Sequence, residues 1–213
     1  MLIEVQDVVR PADGGVETDL IFNHGVDIPH FVAHTLLQHA AGRVALTGHF
    51  EGFLDLADHH DVGFIMDTQT WKAHPHWASD LGATDSELRD ANHDAVAFIA
   101  GLRDARATGK QLIVLNALIG PRGDAYAPDQ AVAAGEAERY HGRQLGWLAE
   151  TDVDMVTAMT FTQARRAKSD ACHRRYECGC GSDPAWSCGL GRISGVSGRR
   201  GRRCWIITGW VAG

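Results

Sequence analysis

The chain has 213 residues, of which 45% are hydrophobic and 22% are charged, and its formal net charge is −7. These values are typical of a globular protein of about one domain and exclude a largely disordered chain. No apolar stretch approaches the length of a membrane span, and the N-terminal residues lack the pattern of a signal peptide, so the sequence predicts a cytoplasmic protein with no membrane partner.

The distribution of charged residues and of cysteines differs between two parts of the chain. Residues 164–213 contain ten Lys or Arg, three acids and all five cysteines, whereas residues 1–163 contain ten Lys or Arg and 24 acids. We therefore predict a domain over 1–163 and a basic, Cys/Gly/Arg-rich tail over 164–213.

Short apolar strands alternate with helices in the first part. Parallel strands are predicted near 8–13, 62–69, 112–118 and 153–160. Long connections favour parallel pairing, and strands that are apolar on both faces are typical of a sheet covered by helices. The sequence therefore predicts an α/β fold made of four βα units.

The predicted helices lie between these strands. The first carries Phe50, Phe53, Leu54 and Ala57 on one face. The second opens at Thr84 with Glu87 three residues later, which is the spacing of a capping box, and its apolar face contains Leu88, Ala91, Ala95, Ile99 and Leu102. The third carries Ala137, Tyr140, Gln144, Trp147 and Leu148.

Polar residues follow each predicted strand. They are Asp13-Gly14-Gly15, Asp67 to Trp71 (including Thr68 and Thr70), Asn116 with the turn 120–124, and Thr157, Thr160 and Thr162. Each alone is explained by turn formation, because Gly and Asp turn the chain and Thr bonds the backbone. Their recurrence after all four strands favours a site, because the carboxyl ends of parallel strands are where such folds bind ligands.

Several segments resemble the N-terminal half of the homocysteine S-methyltransferase family over about residues 10–163. They are ADGGVETDL (12–20), HFVAHTLL (30–37), VGFIMDTQTWKAHPHW (62–77), LIVLNALIGPRGDAY (112–126) and EAERYH (136–141) before VDMVTAMTFT. The resemblance implies a (β/α)₈ barrel that transfers a methyl group from an S-methyl or related donor to the thiol of homocysteine.

The resemblance also implies a substrate site. Asp13, Gly14 and Gly15 would hold the amino-acid end of homocysteine, with Asp13 taking the ammonium and backbone N–H groups taking the carboxylate. The polar residues from Asp67 to Trp71 and Asn116 would line the pocket, and Thr160 lies at the end of the fourth strand. No catalytic residue is assigned.

Two positions depart from the family pattern. Met159 stands where many members have a Glu on the fourth strand, and Glu17 replaces the second glycine of the Asp-Gly-Gly-x-Gly-Thr start. The first change removes a carboxylate partner for the substrate. Because of both changes, the sequence does not establish which thiol accepts the methyl group.

The family holds zinc with three cysteines, and coordination to zinc removes the proton of the substrate thiol. The corresponding Gly-Gly-Cys-Cys stretch does not occur in this chain, and Cys178-Gly179-Cys180 is tighter than the usual zinc spacing. We therefore expect no bound zinc. The run Arg199–Arg203 lacks the fold context of a nucleic-acid site, and the histidines, including His59-His60 and His74-Pro75-His76, are interpreted as surface or loop residues.

The resemblance stops after the fourth strand, where a helix should follow and Arg/Cys/Gly-rich sequence begins instead. GC-rich codons read out of frame yield such residues, so we predict that the chain from about Gln163 onward is a frameshifted reading or disordered. The predicted function is that of a homocysteine S-methyltransferase-like half-barrel, truncated and inactive as written. The alternative is a non-catalytic half-barrel that binds a small molecule or self-associates through its open edges.

Overall fold

The computed structural model describes residues 2–3, 11–106, 112–123, 133–161 and 196–197. The strands are β1 (Leu2–Ile3), β2 (Phe64–Asp67), β3 (Ile113–Ile119), β4 (Met155–Ala158) and β5 (Val196–Ser197). The α-helices are α1 (Val16–Phe22), α2 (Ala40–His59), α3 (Pro75–Leu81), α4 (Asp85–Ala105) and α5 (Ala134–Ala149). Two 3₁₀ helices, Pro29–Phe31 and Ala33–Gln38, connect α1 to α2.

A parallel sheet with the strand order β2-β3-β4 forms the centre of the fold. Asp67 lies opposite Asn116 in the first pair, and Asn116 lies opposite Met155 in the second. Ala12 adds a parallel bridge to Ile65, at the place of the predicted first strand. The prediction of an α/β fold with parallel strands is confirmed for these residues, whereas most of the segment 8–13 lies outside the described part.

Apolar residues on one face of the sheet pack against the helices. Phe64, Met66 and Leu115 form a cluster with Phe50 and Leu54 of α2 and with Ile99 of α4. Ala117, Val156 and Ala158 pack against Val96 of α4 and Leu148 of α5. Because side chains alternate along a strand, the residues between these positions lie on the opposite face.

The predicted helix start at Thr84 is confirmed. The Thr84 hydroxyl accepts the Glu87 N–H at 3.3 Å, and the Glu87 carboxylate accepts the Thr84 N–H at 2.7 Å. Leu88, Ala95 and Ile99 of α4 are buried, as the spacing predicts. The reciprocal bonds satisfy two N–H groups that a helix would otherwise leave unpaired.

Within the described residues, no helix is both long and apolar enough to cross a membrane. Apart from β5, which pairs antiparallel with β1, the predicted tail lies outside the described residues. The same is true of all five cysteines and of the frameshift prediction.

A candidate site at the carboxyl ends of the parallel strands

Asp67, Asn116 and Thr157 lie on the face of the sheet that points away from the helices. Asp67 ends β2, Asn116 lies within β3 and Thr157 lies within β4. Ile65, Val114 and Met155 lie on this face closer to the start of the strands, where the last two form a separate apolar cluster with Ile65 packed against it. The face therefore changes from apolar to polar toward the carboxyl ends of the strands.

Hydrogen bonds join the polar side chains into a continuous row. Asp13 accepts the backbone N–H of Asp67 at 2.8 Å through its Oδ1 atom. The Asn116 amide donates to Asp67 Oδ1 at 2.6 Å, and the Thr157 hydroxyl donates to Asn116 Oδ1 at 3.0 Å. The structure thus brings together Asp13, Asp67 and Asn116 from the predicted site residues.

Two carboxyl groups are buried in this row. Asp13 and Asp67 are each 8% exposed. Burial, together with the negative charge of Asp67, raises the pKa of Asp13 well above its usual value. Burial also raises the pKa of Asp67 to about 7, although the Asn116 hydrogen bond opposes the shift. The site therefore disfavours two negative charges at once and favours a cation beside them.

The predicted residues Thr68 and Thr70 hold the loop after β2 against the end of β3. Thr70 donates its hydroxyl hydrogen to the carbonyl of Leu118 at 2.6 Å. Thr68 accepts the Leu118 N–H at 3.1 Å, and the two hydroxyl oxygens lie 2.6 Å apart. Both hydroxyls are thus used by the fold, and their role in binding substrate stays a prediction.

Two buried amides from the helices hold the same loop, and the sequence analysis assigned neither of them a role in the site. Gln144 of α5 donates to the carbonyl of Thr70 at 2.7 Å and to Asn92 Oδ1 at 3.1 Å. Asn92 of α4 donates to the carbonyl of Ala73 at 2.8 Å. Because their partners are distant in sequence, these contacts could not be predicted from local patterns. The sequence signal that could have identified Asn92 and Gln144 is a polar residue on the otherwise apolar face of a helix.

Trp71 and Thr160 meet at the rim of the site. The Trp71 indole N–H donates to the Thr160 hydroxyl at 3.2 Å, and Thr160 adopts a positive φ of 61°. Gly120 makes this approach possible, because a Cβ there would lie 2.5 Å from the Trp71 carbonyl oxygen and 2.8 Å from the indole nitrogen. The glycine after β3 is therefore required by packing.

Gly14 and Gly15 are exposed between Asp13 and α1. Gly15 has a φ of 54°, in the left-handed region that favours glycine. A Cβ at Gly14 would meet no atom within 4 Å. The exposed backbone here borders the buried carboxyl of Asp13.

The interpretation of the histidines as surface or loop residues agrees with the position of His74, in the loop before α3, but did not anticipate its burial. This side chain is 1% exposed, and the Tyr140 hydroxyl lies 2.5 Å from its Nδ1 atom. His34, His49 and His141 are also buried, whereas His59, His60 and His76 are exposed. Burial lowers the pKa of His74 to about 3 and the pKa values of His34 and His141 to about 4, so these imidazoles are neutral at pH 7.

The described residues do not fit a zinc ion. Among them, no group of three His, Cys, Asp or Glu side chains is placed to hold a metal. Asp67 and Thr157 are instead both hydrogen-bonded to the Asn116 side chain. The cysteine sulfurs, which zinc favours as ligands, lie outside the described residues.

The fold of the chain is similar to that of solved structures of a homocysteine methyltransferase. The chain is similar to the metallated form of MmuM from Escherichia coli with a TM-score of 0.62 and 13% identity, covering 77% of this chain and 58% of that one. The oxidized form gives a TM-score of 0.63 and 14% identity, covering 78% and 57%. The chain thus spans a little over half the length of these structures.

Sequence comparison identifies the family. A search of curated proteins found no match. The profile of the homocysteine S-methyltransferase family matches residues 12–189, which include every residue of the polar row. The chain therefore belongs to the homocysteine S-methyltransferase family.

Proposed function

We propose that the polar row at the strand ends binds the amino-acid part of homocysteine or a related thiol. One observation carries this proposal, namely that Asp13, which follows the isolated parallel bridge at Ala12, and Asp67, which ends β2, are both buried in a connected network. Burial is the main cause of both raised pKa values, and the ammonium group of an amino acid would stabilise the carboxylate forms that burial disfavours. Asn116 orients Asp67, and Thr157 in turn orients Asn116.

We place this site in the first half of a (β/α)₈ barrel. The parallel order from Ala12 through β2 and β3 to β4, with helices on one face, is that of consecutive barrel strands. The likeness to MmuM, a homocysteine methyltransferase, supports this placement. The same proposal includes the division into a domain over 1–163 and a tail over 164–213, with residues beyond about Gln163 out of frame; its support is the basic, Cys-rich composition of the tail, whereas the family profile continues to residue 189.

The chain as written is proposed to bind a small molecule without transferring a methyl group. The support is in the sequence, where Met159 replaces the family glutamate and no Gly-Gly-Cys-Cys stretch occurs. The methyl donor and the zinc of the family are needed for methyl transfer and are not part of the binding proposed for this chain. Metal analysis that finds one zinc per chain, together with turnover that Asp13→Ala abolishes, would contradict this part of the proposal.

Binding is tested by titrating the full chain with L-homocysteine in a calorimeter. Asp13→Asn keeps the size and the hydrogen-bond acceptor of the side chain but removes its charge, so we expect the dissociation constant to rise at least about tenfold. Asp80→Asn, which changes an exposed aspartate of α3, is the matched control and should leave binding unchanged. Equal affinity of Asp13→Asn and the wild type would contradict the assignment.

Self-association is the second candidate function, and α2 provides the observation that favours it. Val44 and Leu56 on this helix are 72% and 52% exposed and line the same surface cleft, and contiguous apolar surface of this kind marks interaction sites. Sedimentation velocity of the full chain distinguishes a monomer from a dimer. A dimer that Val44→Glu dissociates would support this candidate.

A further inference from the structure

Three arginines line a polar cleft between α3 and α5. Arg139 and Arg143 lie about one helical turn apart on α5, and Arg122 follows β3. The cleft has a volume of about 480 Å³, and His76 of α3 lies on its opposite wall. We call it the arginine cleft.

The Tyr140 hydroxyl joins the two walls of the arginine cleft. Its oxygen accepts the backbone N–H of His76 at 2.9 Å and lies 2.5 Å from Nδ1 of the buried His74. Because the oxygen already accepts from His76, its own hydrogen is available for His74. These bonds tie α5 to the loop that leads from the candidate site into α3, so both walls of the cleft are held in place.

The arginine cleft adjoins the rim of the candidate site. Arg122 comes two residues after Gly120, which packs closely against Trp71. The Arg122 guanidinium lies 5.5 Å from the centre of the Tyr140 ring. The carboxyl end of β3 therefore leads from the rim of the site to the cleft.

Positive charge exceeds negative charge around the arginine cleft. Arg122 forms an ion pair with Glu136 at 2.5 Å, and Arg143 pairs with Asp85. These four side chains are 44% to 60% exposed, and ion pairs in contact with water are weak. Arg139 is exposed and has no ion-pair or hydrogen-bond partner among the described residues. Like charges one turn apart on a helix, such as Arg139 and Arg143, are unfavourable unless an anion offsets them.

We propose that the arginine cleft binds a phosphoryl group, either as inorganic phosphate or as part of a phosphate ester. Arg139 offers a whole guanidinium group to such a ligand. Arg122 uses Nη1 for its ion pair and Arg143 uses Nη2, so each keeps further N–H donors for the ligand. Binding is non-covalent. The inference goes beyond the proposed function and does not depend on it, because it concerns a different ligand and different residues.

The charge and geometry of the arginine cleft favour a phosphoryl group over a single carboxylate. A phosphate monoester carries about two negative charges at neutral pH and has three strong acceptor oxygens. Three guanidinium groups from two segments of the chain can donate to these oxygens together, and the arginine fork matches the geometry of phosphate. A carboxylate has fewer oxygens and less charge, and it would only repeat the contacts that Glu136 and Asp85 already make.

The test titrates the full chain, without homocysteine, with sodium phosphate and separately with methyl phosphate, while chloride keeps the ionic strength constant. We expect saturable binding of one phosphoryl group per chain, followed by ³¹P NMR. Arg139→Gln should raise the dissociation constant at least about tenfold, because it removes donors that the fold does not use. Tighter binding of methyl phosphate would identify an ester as the ligand, and tighter binding of inorganic phosphate would identify the free ion.

Arg103→Gln is the matched control. Arg103 belongs to α4, does not line the arginine cleft and pairs with its neighbour Asp104. This variant removes the same charge, so a change in the dissociation constant of no more than about twofold is expected from the loss of long-range attraction. Absence of saturable binding in the millimolar range would overturn the proposal. Equal weakening by Arg139→Gln and Arg103→Gln would also overturn it, because the phosphoryl group would then respond only to net charge.

Discussion

The two faces of the parallel sheet are built from alternating residues of the same strands, yet they are stabilised differently. Toward the helices, Met66 and Leu115 are fully buried among apolar side chains. On the other face, their neighbours Asp67 and Asn116 are buried almost as completely and bond to each other. Apolar burial contributes free energy of folding, whereas a buried carboxyl costs free energy unless it is compensated. A costly polar face beside a stabilising apolar face is the pattern expected of a binding site.

The largest expected loss of stability comes from a substitution on the helix-facing side of the parallel sheet. Leu115→Ala removes a side chain with 0% exposure from the cluster of β2, β3, α2 and α4. We expect the free energy of unfolding to fall by about 2–5 kcal/mol, because the cavity adds to the lost transfer energy. Chemical denaturation measures this, and Leu56→Ala, at a leucine that is 52% exposed, is the matched control. Equal losses in the two variants would contradict the described core.

On the opposite face, replacing Asp67 should stabilise the protein at neutral pH. Its folded pKa of about 7 lies above the value for an unfolded chain, so its contribution to stability is present in acid and is lost as the pH rises from about 4 to 7. Asn at this position keeps an oxygen for the Asn116 amide but cannot ionise. At pH 8 we expect Asp67→Asn to be more stable than the wild type by about 1–3 kcal/mol.

The stability difference between Asp67→Asn and the wild type, measured as a function of pH, tests this prediction more directly than a measurement at pH 8 alone. His34 and His74 have lowered pKa values, so they destabilise the fold as the pH falls below about 6.5 and oppose the effect of Asp67. Both histidines are present in the two proteins, and their contribution cancels when the variant is compared with the wild type at each pH. A difference that does not change between pH 4 and 8 would show that Asp67 is not a buried acid.

Local patterns in the sequence were sufficient to predict helices and strands of the fold. The capping box at Thr84 and the apolar spacing of α4 are read from neighbouring residues, and the structure confirms both. The polar strand ends also predicted where Asp13, Asp67 and Asn116 come together. Each of these inferences needs only the period of a helix or the direction of parallel strands.

The remaining contacts could not be predicted, because they join residues far apart in the chain. His49 bonds to Asp19, 30 residues away, and Gln144 bonds to Thr70, 74 residues away. Nothing local distinguishes a histidine such as His74, which the structure buries, from an exposed one in the same His-Pro-His segment. Tertiary packing decides which polar residues form the site and which support it.

The smallest expected effect concerns a residue that belongs to both the fold and the predicted site. Thr70→Val keeps the shape of the side chain but removes the hydroxyl that donates to the Leu118 carbonyl, leaving that carbonyl and the Thr68 hydroxyl without this partner. We expect the free energy of unfolding to fall by about 1–2 kcal/mol. Thr18→Val, at an exposed threonine of α1, should change it by less than about 0.5 kcal/mol. Calorimetric titration of the same variants with L-homocysteine then separates the two roles, since a loop anchor alone changes stability, whereas a ligand contact also weakens binding.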